Sequence, residues 1–396
     1  MRIPESAIQA AILHPEEEVR AAAVSYFSAS YSQDEAIMPQ VIRAVQEYSR
    51  DKAFRILRRA ERLPQSAATV DWLIEELRRS DAAHDLSDEN YRFAIALILY
   101  CAPAEILRER WEAIGALPMF PAPIRDFLAE RLDVLGWDWC CGWAALKNLA
   151  HDTSRRGRFT ASEVRRADYI IESLTRHRAT RAKSVLEWLR QPSEAGSEAA
   201  IRCLRPLIMN LAGAMRLAEA VPIAVRHLAD DNLSLADQST TVLIKIGTDV
   251  VVHAIANPWW NAAANFRAAA SDVLEHIHTD LCAESCLKFF LAEEDPETRI
   301  SLAHALLSQF IPEGVEPVRQ FVLASAGEPP PHLLDLRRRL VVACTVMGVS
   351  FPECDAWHQD AMSSHWGLDD YQPPRLADNF QPDQPDKKGS GNERRY

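Results

Sequence analysis

Residues 230–247, which read DDNLSLADQSTTVLIKIG, carry the pattern that decides the fold of this chain. Polar turn residues open the segment, and Leu235, Leu243 and Ile246 follow at spacings that place them on one face of a helix. An asparagine or aspartate in such a turn caps the first backbone N–H groups of a helix, and Gly247 stands where a helix commonly ends. The stretch therefore predicts a capped amphipathic helix.

The same pattern returns twice further along the chain. Residues 261–277 and 295–310 each open with a polar turn and continue with apolar residues at helical spacing. The matched positions Ala236, Arg267 and Arg299 are 31 and 32 residues apart. Because a fixed period of this length marks stacked helical hairpins, the sequence predicts an all-α fold, an α-solenoid of antiparallel helix pairs.

These repeats resemble the short-period HEAT family. The resemblance rests on the Asp/Asn/Pro turn, a Val-Arg-like step, small residues one turn later, and Leu or Ile after them. It covers residues 14–30 and 229–311, and between these segments the solenoid is inferred by continuity. It implies that Arg20, Arg267 and Arg299 form a ladder with acidic turn residues, and that the repeats build a curved surface for macromolecular partners.

A linker-like stretch, residues 191–197, interrupts the rhythm of the helices. We predict degenerate N-terminal HEAT-like repeats over 1–190 and C-terminal repeats over 198–366. Residues 369–396 are rich in Pro, Asp, Gln, Lys and Gly and bury too little apolar surface to fold, so we predict a disordered tail. We expect consecutive hairpins to form one extended ribbon of core rather than a compact ball.

The composition favours a helical, soluble protein. The chain has 396 residues, a formal net charge of −12 and only 13 glycines, which helices tolerate poorly and hairpin turns need. An acidic surface repels phosphate, so nucleic-acid binding requires basic residues gathered in one place. The longest apolar run, residues 93–102, is too short to cross a bilayer, which takes about 20 residues. We expect a cytoplasmic protein with no membrane contact.

Basic residues do gather between 147 and 190, where eleven Lys and Arg stand against five Asp and Glu. Such a segment can contact phosphates, or its arginines can pair with acids of adjacent repeats, and the sequence leaves both alternatives open. The smaller basic run over 50–62 is interpreted as a solvated helix face. The candidate partner-binding residues in the larger segment are Arg155, Arg156, Arg158, Arg165, Arg166 and Arg176.

Tryptophans form two clusters, one over residues 137–143 and one at Trp259 and Trp260. Neighbouring residues of a helix cannot both point inward, so at least one of Trp259 and Trp260 is predicted to be exposed or to stand at a helix start. An exposed tryptophan is a candidate partner anchor, and both residues are named as candidates. The alternative is that the tryptophans fill the core at irregular repeats.

No motif in the sequence indicates a catalytic site. There is no phosphate-cradling glycine loop followed by a helix and no nucleophile elbow. The best metal candidates, His276, His278, Cys282 and Cys286, are better explained by a solvated turn and core thiols, so no metal or cofactor is predicted. The sequence predicts a non-enzymatic protein-interaction scaffold, with a nucleic-acid-binding module as the alternative and an enzyme of another kind ranked last.

Overall fold

The computed structural model describes residues 2–48, 50–79, 86–117, 120–191, 197–324 and 331–363. Over these residues the chain is helical throughout, with no β-strand. In chain order the α-helices are α1 (Glu5–Ala11), α2 (Glu17–Ala29), α3 (Ile37–Tyr48), α4 (Arg50–Arg59), α5 (Ala67–Arg79), α6 (Leu86–Cys101), α7 (Ala104–Glu109), α8 (Trp111–Gly115), α9 (Ala122–Leu135), α10 (Trp139–Arg156), α11 (Ala161–Thr175), α12 (Arg178–Arg190), α13 (Glu198–Ala214), α14 (Val221–Arg226), α15 (Leu233–Ile246), α16 (Asp249–Ala256), α17 (Ala264–Glu275), α18 (Asp280–Ala292), α19 (Pro296–Ser308), α20 (Pro312–Ala324), α21 (Pro331–Met347) and α22 (Cys354–Ser363). The predicted tail, 369–396, lies outside the described residues.

Two layers of helices follow from this order. Inner helices alternate along the chain with outer helices, and each inner helix packs on the next inner one. The inner layer consists of α2, α4, α6, α9, α11, α13, α15, α17, α19 and α21. Outer helices α14, α16, α18 and α20 also pack on one another in sequence. Among the described helices, none has the length and apolar character needed to span a membrane.

The first and last helices of the inner layer meet. Helix α21 packs on both α1 and α2, and Arg338 of α21 pairs with Glu18 of α2. The Tyr26 ring of α2 stacks on His278, with ring centroids 3.6 Å apart. The inner layer is therefore a closed ring. The predicted α-solenoid is confirmed, whereas the expected extended ribbon is wrong, because its two ends pack together.

The two predicted domains, 1–190 and 198–366, share an interface. Helix α13, which begins at Glu198, packs on α10, α11 and α12. Between these segments, residues 192–196 lie outside the described part of the chain. The division into two domains stays a prediction.

Helix ends follow the turn chemistry that the repeats predict. The side chain of Asn232 accepts a hydrogen bond from the Leu235 N–H and caps α15, and Gly247, with a φ of 57°, directly follows the last residue of this helix. Asp295 caps α19 in the same way, and Pro296 occupies its first position, where no N–H partner is needed. The local signals in the repeats therefore set the boundaries of these helices.

One position of the arginine ladder implied by the HEAT resemblance shows the expected ion pair. Arg267 donates to both carboxylate oxygens of Glu293, at 2.8 and 3.1 Å, and so ties α17 to the turn before α19. Arg20 is buried and donates to backbone carbonyls of the preceding turn. The Arg299 guanidinium lies over the rings of Phe290 and Phe321.

Helices α13 and α15 approach each other closely at Gly213. A Cβ at this position would lie 2.6 Å from Val242 Cγ2 and 3.1 Å from Val242 Cα. Only glycine leaves room for the two backbones at this separation. The contact helps to join the less regular repeats of the first half to the regular ones of the second half.

Candidate functional site

Three cationic side chains surround Tyr31 at the centre of the ring. Arg62 Cζ is 5.1 Å and Lys245 Nζ is 5.3 Å from the centroid of the Tyr31 ring. Arg216 donates a hydrogen bond to the Tyr31 carbonyl oxygen at 2.7 Å, although the two residues are 185 positions apart. These groups come from the C-terminal ends of α2, α4, α13 and α15, or from the residues just beyond. We call Arg62, Arg216 and Lys245 the central cation cluster.

A polar chain extends from the central cation cluster to α11. Lys245 Nζ lies 3.5 Å from Asn210 Oδ1, and Asn210 Nδ2 donates to Asp168 Oδ1 at 3.1 Å. Both Asp168 and Arg62 are exposed to solvent. Water and small solutes therefore reach these groups at the centre of the ring.

The surrounding protein shifts the ionisation of these groups. Desolvation raises the pKa of Asp168 to about 6, against the opposing charge of Lys245. Desolvation lowers the pKa of Lys245. The like charges of Arg62 and Arg216 lower this pKa further, and the opposite charge of Asp168 raises it. The pKa of Arg216 is lowered by desolvation and by Arg178. These residues thus form a locally positive region inside a chain whose net charge is −12.

Two residues of this region hold a backbone conformation that favours glycine. Tyr31 has a φ of 52° and Arg216 a φ of 48°. Each follows the last turn of an inner helix; beyond Arg216, the Leu217 N–H closes the turn by donating to the Ala212 carbonyl. Glycine usually occupies this position, since a left-handed conformation costs other residues about 1–2 kcal/mol. Phe310, just after inner helix α19, has the same conformation with a φ of 52°, so this feature belongs to the ends of several inner helices.

Four exposed apolar side chains mark one rim of the ring. They are Leu233, Trp260, Leu291 and Leu323. Leu233 begins inner helix α15, and the other three lie at or just after the ends of outer helices α16, α18 and α20. Because inner and outer helices run in opposite directions, these positions lie at the same edge of the ring. We call these four residues the apolar rim.

Acidic side chains border the apolar rim. Asp231, Glu294 and Glu297 are exposed in, or directly after, the turns at this edge. Lys288 approaches the Trp260 ring, with Nζ 6.0 Å from its centroid. The edge therefore combines exposed apolar groups with an excess of negative charge.

The two candidate tryptophans have different surroundings. Trp260 is exposed and contacts Phe289 edge-on, with ring centroids 5.6 Å apart. Trp259 is fully buried, and its ring stacks on the Phe289 ring with the ring centroids 4.0 Å apart. The prediction that at least one of the pair is exposed is confirmed. Trp259 is not a partner-binding residue in this conformation, because the core covers it completely.

The tryptophans of the other cluster fill the core. Trp139 and Trp143 are buried and stack on one another, and Trp188 of α12 stacks on Trp143 with ring centroids 3.9 Å apart. These contacts join α10 to α12. Trp137 is partly buried against the same core.

The arginine-rich segment divides into engaged and exposed side chains. Arg156 pairs with Glu163, and Arg176 donates to the Leu135 carbonyl at 2.7 Å. Arg165 is buried, so its candidacy for partner binding is corrected. Its guanidinium lies 3.6 Å from the centroid of a phenylalanine ring on α9. Arg158 is exposed in the turn after α10 and has contacts of its own.

Other cations of this segment face solvent. No carboxylate of the described residues lies within ion-pair distance of them. They are Arg155, Arg166, Lys183 and Arg190. Pairing with acidic side chains therefore holds for part of the segment, and contact of the other cations with phosphates stays a prediction.

The histidine and cysteine group lies at the closure of the ring. The sulfur atoms of Cys282 and Cys286 are 4.0 Å apart and buried, and the Gln309 amide donates to both. His278 stacks on Tyr26 instead of pointing at these thiols. In the part of the chain that the structure describes, no three metal-donor side chains converge.

The central cation cluster is the feature that sequence reasoning misses. The pattern assigns Arg62 to a solvated helix face, and no spacing connects it with Lys245 or Arg216. The available signal is indirect: Tyr31 and Arg216 stand where a helix end usually has glycine. No protein-family model matches the chain and no curated protein matches its sequence, so the HEAT resemblance stays a prediction.

Proposed function

We propose that this protein is a non-enzymatic scaffold that binds a protein partner along the apolar rim. The observation that carries the proposal is the succession of Leu233, Trp260, Leu291 and Leu323 in neighbouring repeats at one edge. Contiguous exposed apolar surface marks interaction sites, and tryptophan is enriched among the residues that dominate binding energy. The resemblance to HEAT repeats supports the same proposal.

The charges beside the apolar rim define the chemistry of the partner. Asp231, Glu294 and Glu297 favour a basic segment, and the net charge of −12 attracts such a segment from a distance. Apolar side chains on that segment would cover the leucines and Trp260. The partner surface is therefore both apolar and basic.

A single charged substitution at the apolar rim tests this proposal. Leu291→Lys replaces an apolar contact with a positive charge that repels a basic partner, and the side chain is 61% exposed, so the fold stays intact. The matched control is Val250→Lys, because Val250 is 53% exposed and begins an outer helix at the opposite edge. A partner captured from nuclease-treated extract should be lost with Leu291→Lys and kept with Val250→Lys. Equal capture by both variants would contradict the proposal.

Nucleic-acid binding is the second candidate, because Arg155, Arg166, Lys183 and Arg190 are exposed without a carboxylate at ion-pair distance. The test is fluorescence anisotropy with short RNA and DNA duplexes at two salt concentrations. Phosphate contacts predict binding that weakens steeply with salt and is lost when Arg155, Arg166 and Lys183 are changed to Glu. Absent or salt-independent binding excludes this candidate.

A further inference from the structure

Within the described residues, no salt bridge neutralises the central cation cluster. No carboxylate of the described residues lies within ion-pair distance of Arg62, Arg216 or Lys245. Asp168 acts on Lys245 as an opposite charge, but the hydrogen-bonded chain between them runs through Asn210. Three like charges held around one tyrosine repel each other, and an anion placed among them would relieve this repulsion.

We propose that the central cation cluster binds a phosphate-type oxyanion, with Arg62, Arg216 and Lys245 as its ligands. Lys245 lies in α15 and Arg216 just after the neighbouring helix α13, whereas Arg62 follows α4 across the ring, so the ligand must offer oxygen atoms in more than one direction. A tetrahedral oxyanion does so, whereas a carboxylate offers two oxygen atoms in one plane. Guanidinium groups are also well suited to phosphate because their N–H groups match its oxygens in pairs.

The convergence of helix C-termini offers a competing explanation of the same residues. The C-terminal ends of helices carry partial negative charge and attract cations. This accounts for the hydrogen bond from Arg216 to the carbonyl of Tyr31. It does not explain why Arg62 and Lys245 both lie over the Tyr31 ring while Arg216 binds the carbonyl of the same residue, because a cation turned toward bulk solvent stabilises a helix end equally well.

Asp168 gives the proposal a variant that should gain binding. Its carboxylate opposes an incoming anion and attracts Lys245. Asp168→Asn removes the charge and keeps an oxygen that can accept from Asn210. A cluster that only neutralises helix ends would show no change in anion affinity, whereas an oxyanion site should bind a few-fold more tightly.

Isothermal titration calorimetry of the full chain with inorganic phosphate, pyrophosphate and citrate tests the proposal. We expect phosphate or pyrophosphate to bind, and Arg62→Gln and Lys245→Gln each to weaken binding by about tenfold or more. Arg190→Gln, an exposed cation elsewhere, should leave affinity unchanged. Tighter binding of pyrophosphate than of phosphate identifies the phosphate chain of a larger molecule, and equal binding identifies the free ion.

Three results would overturn the oxyanion site. The first is that neither phosphate probe binds up to about 10 mM. The second is that Arg62→Gln and Arg190→Gln lower the affinity for phosphate equally. The third is that citrate binds as tightly as pyrophosphate. Arg216→Gly guards against misfolding, since glycine relaxes the backbone there while removing the guanidinium. It should weaken binding with the circular dichroism spectrum unchanged. Arg62→Gln should still capture the protein partner at the apolar rim. Failure of the oxyanion site can therefore be told apart from failure of the proposed scaffold function.

Discussion

Replacing Tyr26 with alanine tests whether the ring is closed as described. Tyr26 is buried in α2, and its ring stacks on His278 and lies 5.7 Å from the Phe310 ring. Arg2 donates to the Tyr26 hydroxyl and to the His278 carbonyl. One side chain near the N-terminus therefore contacts the turn after α17 and the end of α19.

The expected loss follows from the size and contacts of this side chain. Truncating a buried aromatic residue to alanine costs about 3–5 kcal/mol, and a lost aromatic pair accounts for about 1 kcal/mol within such a change. We expect Tyr26→Ala to lower the free energy of unfolding by about 4 kcal/mol. Tyr91→Ala is the matched control, because Tyr91 is equally buried in α6 and its hydroxyl donates to Glu76 of neighbouring α5.

Urea denaturation gives the loss of stability, and hydrogen exchange followed by mass spectrometry locates it. Both variants should lose similar stability, but only Tyr26→Ala should accelerate exchange in residues 276–279 and at the end of α19, which its side chain contacts. Unchanged protection of these segments in Tyr26→Ala would refute the closed ring. A loss of stability below about 1 kcal/mol would show that Tyr26 does not hold the closure.

Three further changes have defined outcomes. Gly213→Ala should cost about 2 kcal/mol in urea denaturation because its Cβ meets Val242, and less in a Val242→Ala background; equal costs in both backgrounds would contradict the close approach. Asp168→Asn should raise the melting temperature at pH 7.5. The folded state raises the pKa of Asp168 to about 6, so ionisation of its carboxyl group destabilises the fold as the pH rises from about 4 to 6. The gain in melting temperature should therefore vanish below about pH 4. Arg131→Met should cost about 3 kcal/mol in thermal unfolding, because it leaves Glu172 and two backbone carbonyl groups without their buried donor; a neutral effect would show that water replaces the guanidinium.

Local features of the fold could be predicted from the sequence. The caps at Asn232 and Asp295 and the left-handed Gly247 depend only on a few neighbouring residues, and the structure confirms them. Helical periodicity likewise predicts the all-α solenoid. The exposure of one tryptophan in the pair Trp259 and Trp260 follows from helix geometry alone, although which of the two is exposed depends on how the short turn at 259–261 packs on Phe289.

Features that depend on the curvature of the whole array could not be predicted. Small rotations between successive repeats add up around the ring, and the sequence of a single repeat does not determine their total. The hydrogen bond between Arg216 and Tyr31 spans 185 residues, and Arg2 reaches across 276 residues to His278. The sequence pattern of α4 makes Arg62 one of several exposed arginines, and only closure of the ring places it beside Lys245.

Closure of the ring has a consequence for how the gene can change. An open array gains or loses one hairpin without affecting distant ones, because each unit contacts only its immediate neighbours. Here every inner helix has a neighbour on both sides, and Glu18 must meet Arg338. Deleting or duplicating one hairpin would change the circumference and separate these two residues, so the number of units in this chain is fixed by geometry.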